Sequence, residues 1–460
     1  MTFDRRKYNP VRAWSAKGKF LTATVRALFG LRRLFGAKDW ESVWPEHHED
    51  PLHMKKAEQL YFGHKYYYRA ITSAEKELNT ETRFHLSDAV FKKDSSFLPD
   101  SEITLSAGGD LMPYASIHPD HCAGLWDEIG NDFFGSDLVT ANLETPLDRS
   151  KKASFVPEVM LNHMYFNANE DMFNVFNGNL KYKSYNVLSV ANNHSLDMGV
   201  EGLRSTMQFL DEKGISFCGA REQEGDVFSI PIIEKKGIKV GFLAATFSLN
   251  AEQLPPDKTW MCDHLALNLP HPDISRLVQQ AKWAREQGAD FLVAHLHMGC
   301  AYQPYPSMHS VNNIKQIIEE TGIDLVLGGH PHNAQPSELI HVTDPFSGEK
   351  KESFVVYSMG DFVAYDIFKW CHLPLTFRFS IGKKGNRTKI TAIESRLLYL
   401  HASIEKGKIR HLKFRDFQSC FKAETRNAFD AETRKELEEL KWFADRYLYR
   451  GNLENYPFTS

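Results

Sequence analysis

The sequence predicts a layered α/β domain, with a helical extension before it and strands with a helix after it. Two observations predict this. Between Glu102 and Phe379, short apolar runs rich in β-branched residues alternate with stretches of helical periodicity, the order of a parallel sheet covered by helices. Those runs also end repeatedly in polar residues, at the strand ends where open α/β sheets bind ligands. A chain of 460 residues is longer than one hydrophobic core usually serves, which suggests a division into 1–100, 101–380 and 381–460. The formal net charge of -4 argues against bulk nucleic-acid binding, so nucleic acid is not an expected partner. The six cysteines form no close pairs, so no metal knuckle or redox motif can be built from them, and reduced thiols in a cytoplasmic protein are expected.

The N-terminal stretch is basic but lacks the apolar core and cleavage site of a secretory signal. From Lys17 to Phe35, Leu21, Val25, Leu28, Leu31 and Phe35 recur at helical spacing, with Lys19, Arg26 and Arg33 on the opposite side. Two readings of this basic amphipathic helix stay open. It docks on the main domain with a solvated charged face, or it makes a weak membrane-surface contact through residues 17–35 at the inner face. A helical-looking stretch follows from Leu52 to Leu78, and His47, His48 and His53 read as a solvated surface patch without chemistry. Ser95, Ser96 and Pro99 mark a linker.

The main domain begins with a strand at Ile103–Ala107 that runs into Gly108-Gly109-Asp110. A helix near His121 to Asn131 precedes a strand from Asp137 to Ala141, which ends in Asn142-Leu143-Glu144. Met164 to Phe166 reads as a strand and Asn169 to Phe176 as a helix. Val187 to Ala191 is a buried strand ending in Asn192-Asn193-His194, with Asp197 one turn on and a helix from Val200 to Lys213. Strands at Ile238–Ala245, Asp290–Ala294, Asp324–Leu327 and Phe354–Tyr357 follow, with helices at Ile274–Gln287 and Val311–Glu320 between them. Two of these strands end in His295-Leu296-His297 and in Gly328-Gly329-His330-Pro331-His332. Strands near 390–400 and 409–417 and a helix from Ala431 to Tyr447 close the chain.

The regularity that matters is positional. Strand ends carry, in chain order, an Asp, an Asn with a Glu, an Asn with a His, a His pair and a Gly-His-x-His. Core packing gives no reason for this, because ionisable groups are costly to bury unpaired. Converging on one face, these side chains would supply carboxylate, amide and imidazole ligands for one or two divalent metal ions, Mn, Fe or Zn. Such a centre holds a phosphate or carbonyl oxygen and generates hydroxide from water near neutral pH.

Taken together, Gly109-Asp110-Leu111-Met112, Asn142-Leu143-Glu144, Ala191-Asn192-Asn193-His194 with Asp197, Gly219-Ala220, Gly329-His330-Pro331-His332 with Gln335-Pro336, and Tyr357-Ser358-Met359-Gly360 carry a resemblance. The stretch from about Glu102 to Phe379 resembles the bacterial capsule-biosynthesis CapA family, also called poly-γ-glutamate synthesis proteins. The resemblance implies a layered metallophosphatase-like sandwich of the calcineurin type. It implies metal ligands at Asp110, Glu144, Asn193, His297, His330 and His332, and a catalytic set of His194, the proton donor, with Asp197 and Asn142, the last orienting Glu144 or a bound water.

The sequence also departs from the family pattern. Met112 stands where a metallophosphatase has a His, and Ala301 stands where an acid follows the His297-Met298-Gly299 segment. Gly329 replaces the first His of a doubled pair, and Asp361 replaces an Asn. Two functions follow from the resemblance. The first is a metal-dependent hydrolase or amide-bond transferase acting on a polyanionic polymer such as poly-γ-glutamate, or on a phosphoester. The second is a degenerate scaffold that binds a polymer or organises a biosynthetic complex. Relatives of this family are usually held at the membrane by an N-terminal hydrophobic segment, and the only substitute in this sequence is the 17–35 helix.

Overall fold

The computed structural model describes residues 8–34, 40, 42–44, 46–84, 96–162 and 164–449. Phe35 and Ser95, and the side chain of Arg33, lie outside the described residues. In chain order the first seven strands are β1 (Ser101–Leu111), β2 (Leu138–Leu143), β3 (Val187–Ser189), β4 (Ser216–Cys218), β5 (Ile232–Lys235), β6 (Ile238–Thr246) and β7 (Phe291–His297). The others are β8 (Leu325–Gly329), β9 (Ser337–Thr343), β10 (Lys350–Val356), β11 (Asp361–Val363), β12 (Leu375–Lys384), β13 (Arg387–Glu405) and β14 (Lys408–Asp416).

They form two sheets. One runs β14-β13-β12-β1-β2-β3-β4 with β11 paired to β1, and the other runs β5-β6-β7-β8-β10-β9. The pairs from β1 to β4 and from β6 through β7 and β8 to β10 are parallel. Their carboxyl ends therefore point the same way within each sheet. On the far side of β1, the antiparallel strands β12, β13 and β14 continue the first sheet.

Strand periodicity explains the layering. In β6, Val240, Phe242 and Ala244 enter a core shared with Leu105 and Ala107 of β1, whereas Leu243 and Ala245 pack with Leu277 and Ala281 of one helix and Ile314 and Ile317 of another. Those helices, Ser275–Glu286 and Met308–Thr321, cover the outer face of the second sheet, and Gly199–Glu212 packs against β4. The Met308–Thr321 helix starts at Ser307, whose side chain accepts from Ser310 N, and stops at Gly322 in the left-handed region.

Several elements differ from the sequence-based expectation. Instead of one helix from 121 to 131 there are two helical turns, Pro119–Cys122 and Gly130–Phe133, because the intervening chain turns to bury Trp126 against Phe134, Phe362 and Phe414. Residues 164–166 form no strand, since the Phe166 N–H donates to the Asp197 carboxylate at 2.6 Å and not to a neighbouring strand. The 52–78 stretch is helical only over Lys56–Gly63, a following π-turn to Tyr68 and a short turn at Lys76–Leu78. His295 and His297 lie within β7 and not beyond it.

The helix Ala16–Leu34 forms, but its faces are not the expected ones. Arg26 points inward, donating to Tyr67 O at 3.0 Å, Asn9 Oδ1 at 2.9 Å and Val11 O at 2.7 Å. Phe20, Leu28 and Leu31 are exposed. Three satisfied charge-assisted hydrogen bonds outweigh the small gain from burying that part of the apolar stripe. Among the described residues no helix is long and apolar enough to cross a membrane.

Candidate metal centre

Pairing register brings the strand-end residues together. Asp110 on β1 lies opposite Asn142 of β2 on one side and Asp361 of β11 on the other. His297, the last residue of β7, lies opposite Gly329 of β8. The close fit of these strands fixes two glycines. A Cβ on Gly109 would stand 1.9 Å from Gly360 O, and one on Gly329 would stand 2.6 Å from Asp110 Oδ1. The second observation gives a physical reason for Gly at 329, where a side chain would occupy the space of the aspartate.

Two compact groups result among the described residues. Asp110, Glu144 and His297 offer ligand atoms within 4.8 Å of one another, and Asp110, His332 and Asp361 do the same. Asp110 belongs to both groups. Its Oδ1 accepts from Asn142 Nδ2 at 2.8 Å and its Oδ2 from His330 N at 3.0 Å. Asn142 thus orients Asp110, and it also reaches His297 Nδ1 at 3.2 Å. Among the described residues no hydrogen bond joins it to Glu144, whose two carboxylate oxygens are without a hydrogen-bond partner.

The donor set fits a divalent cation. Among the described residues, both Glu144 oxygens, Asp361 Oδ2 and His330 Nδ1 are buried without a hydrogen-bond partner, although Glu144 Oε1 comes within 3.4 Å of His297 Nε2. A fold rarely leaves several buried polar atoms uncompensated in one place, since each costs about 1–3 kcal/mol or more when charged. Burial, reinforced by the Glu144 charge, pushes the Asp110 carboxyl up to about 6. Burial likewise pushes Asp361 up to about 7 against the pull of His332. Burial opposes a charge on His332, but Asp361 beside it, with Glu144 and Asp110, lifts that imidazole to about 10. Burial depresses His297 to about 3 and His330 to about 4, leaving both neutral and able to ligate. His330 and His332 hold φ of 93° and 61°, conformations that side-chain-bearing residues rarely adopt and that concentrate at functional sites.

A second cluster flanks the first. Asn193 Oδ1 accepts from His297 Nε2 at 2.8 Å, and Asn193 Nδ2 donates to Asn250 Oδ1 at 3.1 Å. His194 Nδ1 lies 2.6 Å from Asp197 Oδ2, and its ring stacks on Phe166 at 4.0 Å between centroids. The carboxylate and the aromatic face hold the imidazole in place. His295, the other member of the His pair, turns away to Thr140 Oγ1 at 2.8 Å. Met112 is buried, and its N–H donates to Val363 O.

The expected solvated patch at 47–53 is corrected. His53 is exposed, but His47 is fully buried, with Nε2 3.1 Å from Glu49 Oε1. Glu49 is itself buried and reaches the centre, where its Oε2 accepts from Ala301 N at 2.7 Å and meets His330 Nε2 at 3.2 Å. Sequence reasoning missed Glu49 and Asn250. Glu49 follows no predicted strand, Asn250 lies past the end of the predicted strand Ile238–Ala245, and the buried Lys65 that compensates Glu49 looks like any surface lysine in the sequence.

Residues 104–366 match the family model described as "Bacterial capsule synthesis protein PGA_cap". The chain belongs to this family. Capsule biosynthesis protein CapA of Bacillus anthracis is 24% identical over 274 residues, 57% of this chain and 60% of that protein. PGA biosynthesis protein CapA of Bacillus subtilis (strain 168) is 24% identical over 270 residues, 57% of this chain and 62% of that protein. The chain therefore spans about three fifths of the length of these curated relatives. It is also similar to the crystal structure of calcineurin-like phosphoesterase YfkN from Bacillus subtilis, with a TM-score of 0.36 and 13% identity over 74% of this chain and 99% of that one. All residues of the two candidate ligand groups, and His194 with Asp197, fall within the matched span, whereas Glu49 lies outside it.

Proposed function

We propose that the protein is a metal-dependent hydrolase or amide-bond transferase of the CapA type, acting in capsule or poly-γ-glutamate metabolism or on a phosphoester. The observation that carries this reading is the pair of buried ligand groups sharing Asp110, set beside the His194–Asp197 pair. Asp110, Glu144 and His297 would hold one cation, and Asp110, Asp361 and His332 a second. Bound divalent cations supply Lewis-acid polarisation of a phosphoryl or carbonyl oxygen and lower the pKa of water. The protein's own part is orientation and proton transfer. Asn142 and the His330 N–H fix Asp110. Asp197 holds His194 through Nδ1, so that Nε2 can protonate the leaving group. Protein reconstituted with Mn, Fe or Zn should hydrolyse a generic phosphodiester or cleave poly-γ-glutamate, and chelation should abolish the activity. Stoichiometric metal with no turnover of either substrate would favour the scaffold role.

The same proposal includes peripheral attachment through the helix Ala16–Leu34. Exposed Phe20, Leu28 and Leu31, with exposed Lys17 and Lys19 nearby, support shallow insertion into an anionic leaflet. The full-length protein should sediment with anionic vesicles at low salt, and a Phe20→Ser/Leu28→Ser/Leu31→Ser variant should not. Wild-type protein that stays in the supernatant contradicts the attachment.

A further inference from the structure

We propose that Glu49, from the segment that precedes the PGA_cap span, is a positioning residue for the metal centre. Its carboxylate takes the Nε2–H of His330 and so presents the Nδ1 lone pair of that histidine to a cation. The inference rests on the metal-dependent reading above and deepens it, because it makes the N-terminal extension part of the site.

The observations converge on one carboxylate. Glu49 Oε2 meets His330 Nε2 at 3.2 Å, and His330 Nδ1 is buried with no hydrogen-bond partner among the described residues. A neutral imidazole carries its proton on one nitrogen only. With a carboxylate acceptor at Nε2, the proton stays there, and the unpartnered Nδ1 is an acceptor. Histidines that bind metals characteristically donate their other N–H to a carboxylate in this way, which fixes the ring and raises its basicity. His330 also stands among the ligands: its ring centroid is 5.2 Å from that of His297 and 5.8 Å from that of His332, and its N–H holds Asp110.

The segment around Glu49 is built to hold it in place. His47 O accepts from Cys300 Sγ, His48 O accepts from Asn268 Nδ2 at 2.8 Å, and Asp50 Oδ1 accepts from Ser248 Oγ at 3.1 Å. Asn268 Nδ2 also donates to Gly299 O at 2.7 Å, tying the segment to the loop that follows β7. Glu49 itself sits at φ 58°, a conformation that costs a glutamate energy and persists only where the surroundings impose it. Its Oε1 pairs with the fully buried Lys65 and with His47. Lys65 and His47 occupy Oε1, and Oε2 is left for Ala301 N and His330. The residue following Cys300 carries no acid of its own, and the backbone N–H at that position is instead met by Glu49. A carboxylate 281 residues upstream of His330 thus occupies the place beside it.

The test compares metal affinity in full-length variants, read by competition with a chromophoric chelator for zinc and by the visible absorption spectrum of the cobalt-loaded protein. Glu49→Gln/Lys65→Met removes the buried ion pair as a unit, so that neither charge is left unpaired. It should weaken zinc binding roughly 10- to 100-fold and alter the cobalt spectrum. The control is Lys369→Met/Glu439→Gln, another buried ion pair, whose hydrogen bonds do not reach the centre. It should leave both readouts unchanged. Glu49→Asp keeps the charge opposite Lys65 but shortens the reach to His330; if the first double variant does not fold, Glu49→Asp carries the comparison on the same criteria. Unchanged zinc affinity and cobalt spectrum in the Glu49 variants, or equal losses in the control, overturn the proposal. Wild-type protein that binds no zinc or cobalt fails at an earlier point and overturns the metal-dependent reading itself.

Discussion

Asp110→Asn should empty the centre in a single step. Asp110 is the residue common to both ligand groups, so its loss removes a charged ligand from each at once. Metal content should fall from one or two equivalents per chain to none, while the fold persists. The metal-free variant should in fact be the more stable protein at neutral pH. A buried carboxyl raised from 3.8 to about 6 costs the ionised folded state about 3 kcal/mol. The sign follows from linkage: stability from this group is present below pH ~4 and lost as pH rises through ~6, and a neutral amide does not undergo that loss. Part of the gain is offset, because one of the two donors now on Asp110, Asn142 Nδ2 or His330 N, will face an NH₂ group. The net should be a gain of up to about 2 kcal/mol, read by denaturant unfolding of chelator-treated samples. Retained metal in a folded Asp110→Asn protein would mean that the two groups do not form one centre.

His194→Ala should behave in the opposite manner. The imidazole is held by Asp197 at 2.6 Å and by its stack on Phe166, and it belongs to neither ligand group. Metal content should therefore stay at the wild-type level while turnover of a responsive phosphodiester or polymer falls roughly 10²- to 10⁴-fold, the contribution typical of a general acid. Asp197→Asn should produce a smaller loss, since the ring keeps its stacking partner. Equal turnover in wild type and His194→Ala would assign the proton to another group.

The strand-end residues were legible because an α/β sheet imposes their position. Asp110, Glu144, Asn193, His297, His330 and His332 each end or follow a β-branched run, and parallel pairing carries those ends to one place. The layered fold was legible for the same reason, from the alternation that sends Val240 and Phe242 inward and Leu243 and Ala245 outward. Glu49 was not legible, because an irregular segment carries no periodicity and its partners, Ala301 and His330, lie 252 and 281 residues away. The contacts of Asn142 were missed for a related reason, since chain proximity to Glu144 says nothing about the lateral neighbours on β1 and β7. In the helix Ala16–Leu34, periodicity identified the element but not its orientation. That was set by three backbone and side-chain acceptors for Arg26, contributed by residues 9, 11 and 67.

The central claim is that Asp110 joins two adjacent ligand groups, and anomalous diffraction from crystals soaked in manganese or zinc tests it most directly. The account predicts an anomalous peak among Asp110, Glu144 and His297, with a second among Asp110, His332 and Asp361 if both positions fill. Crystals of folded protein with no peak at Asp110, or with metal bound only elsewhere, would contradict it.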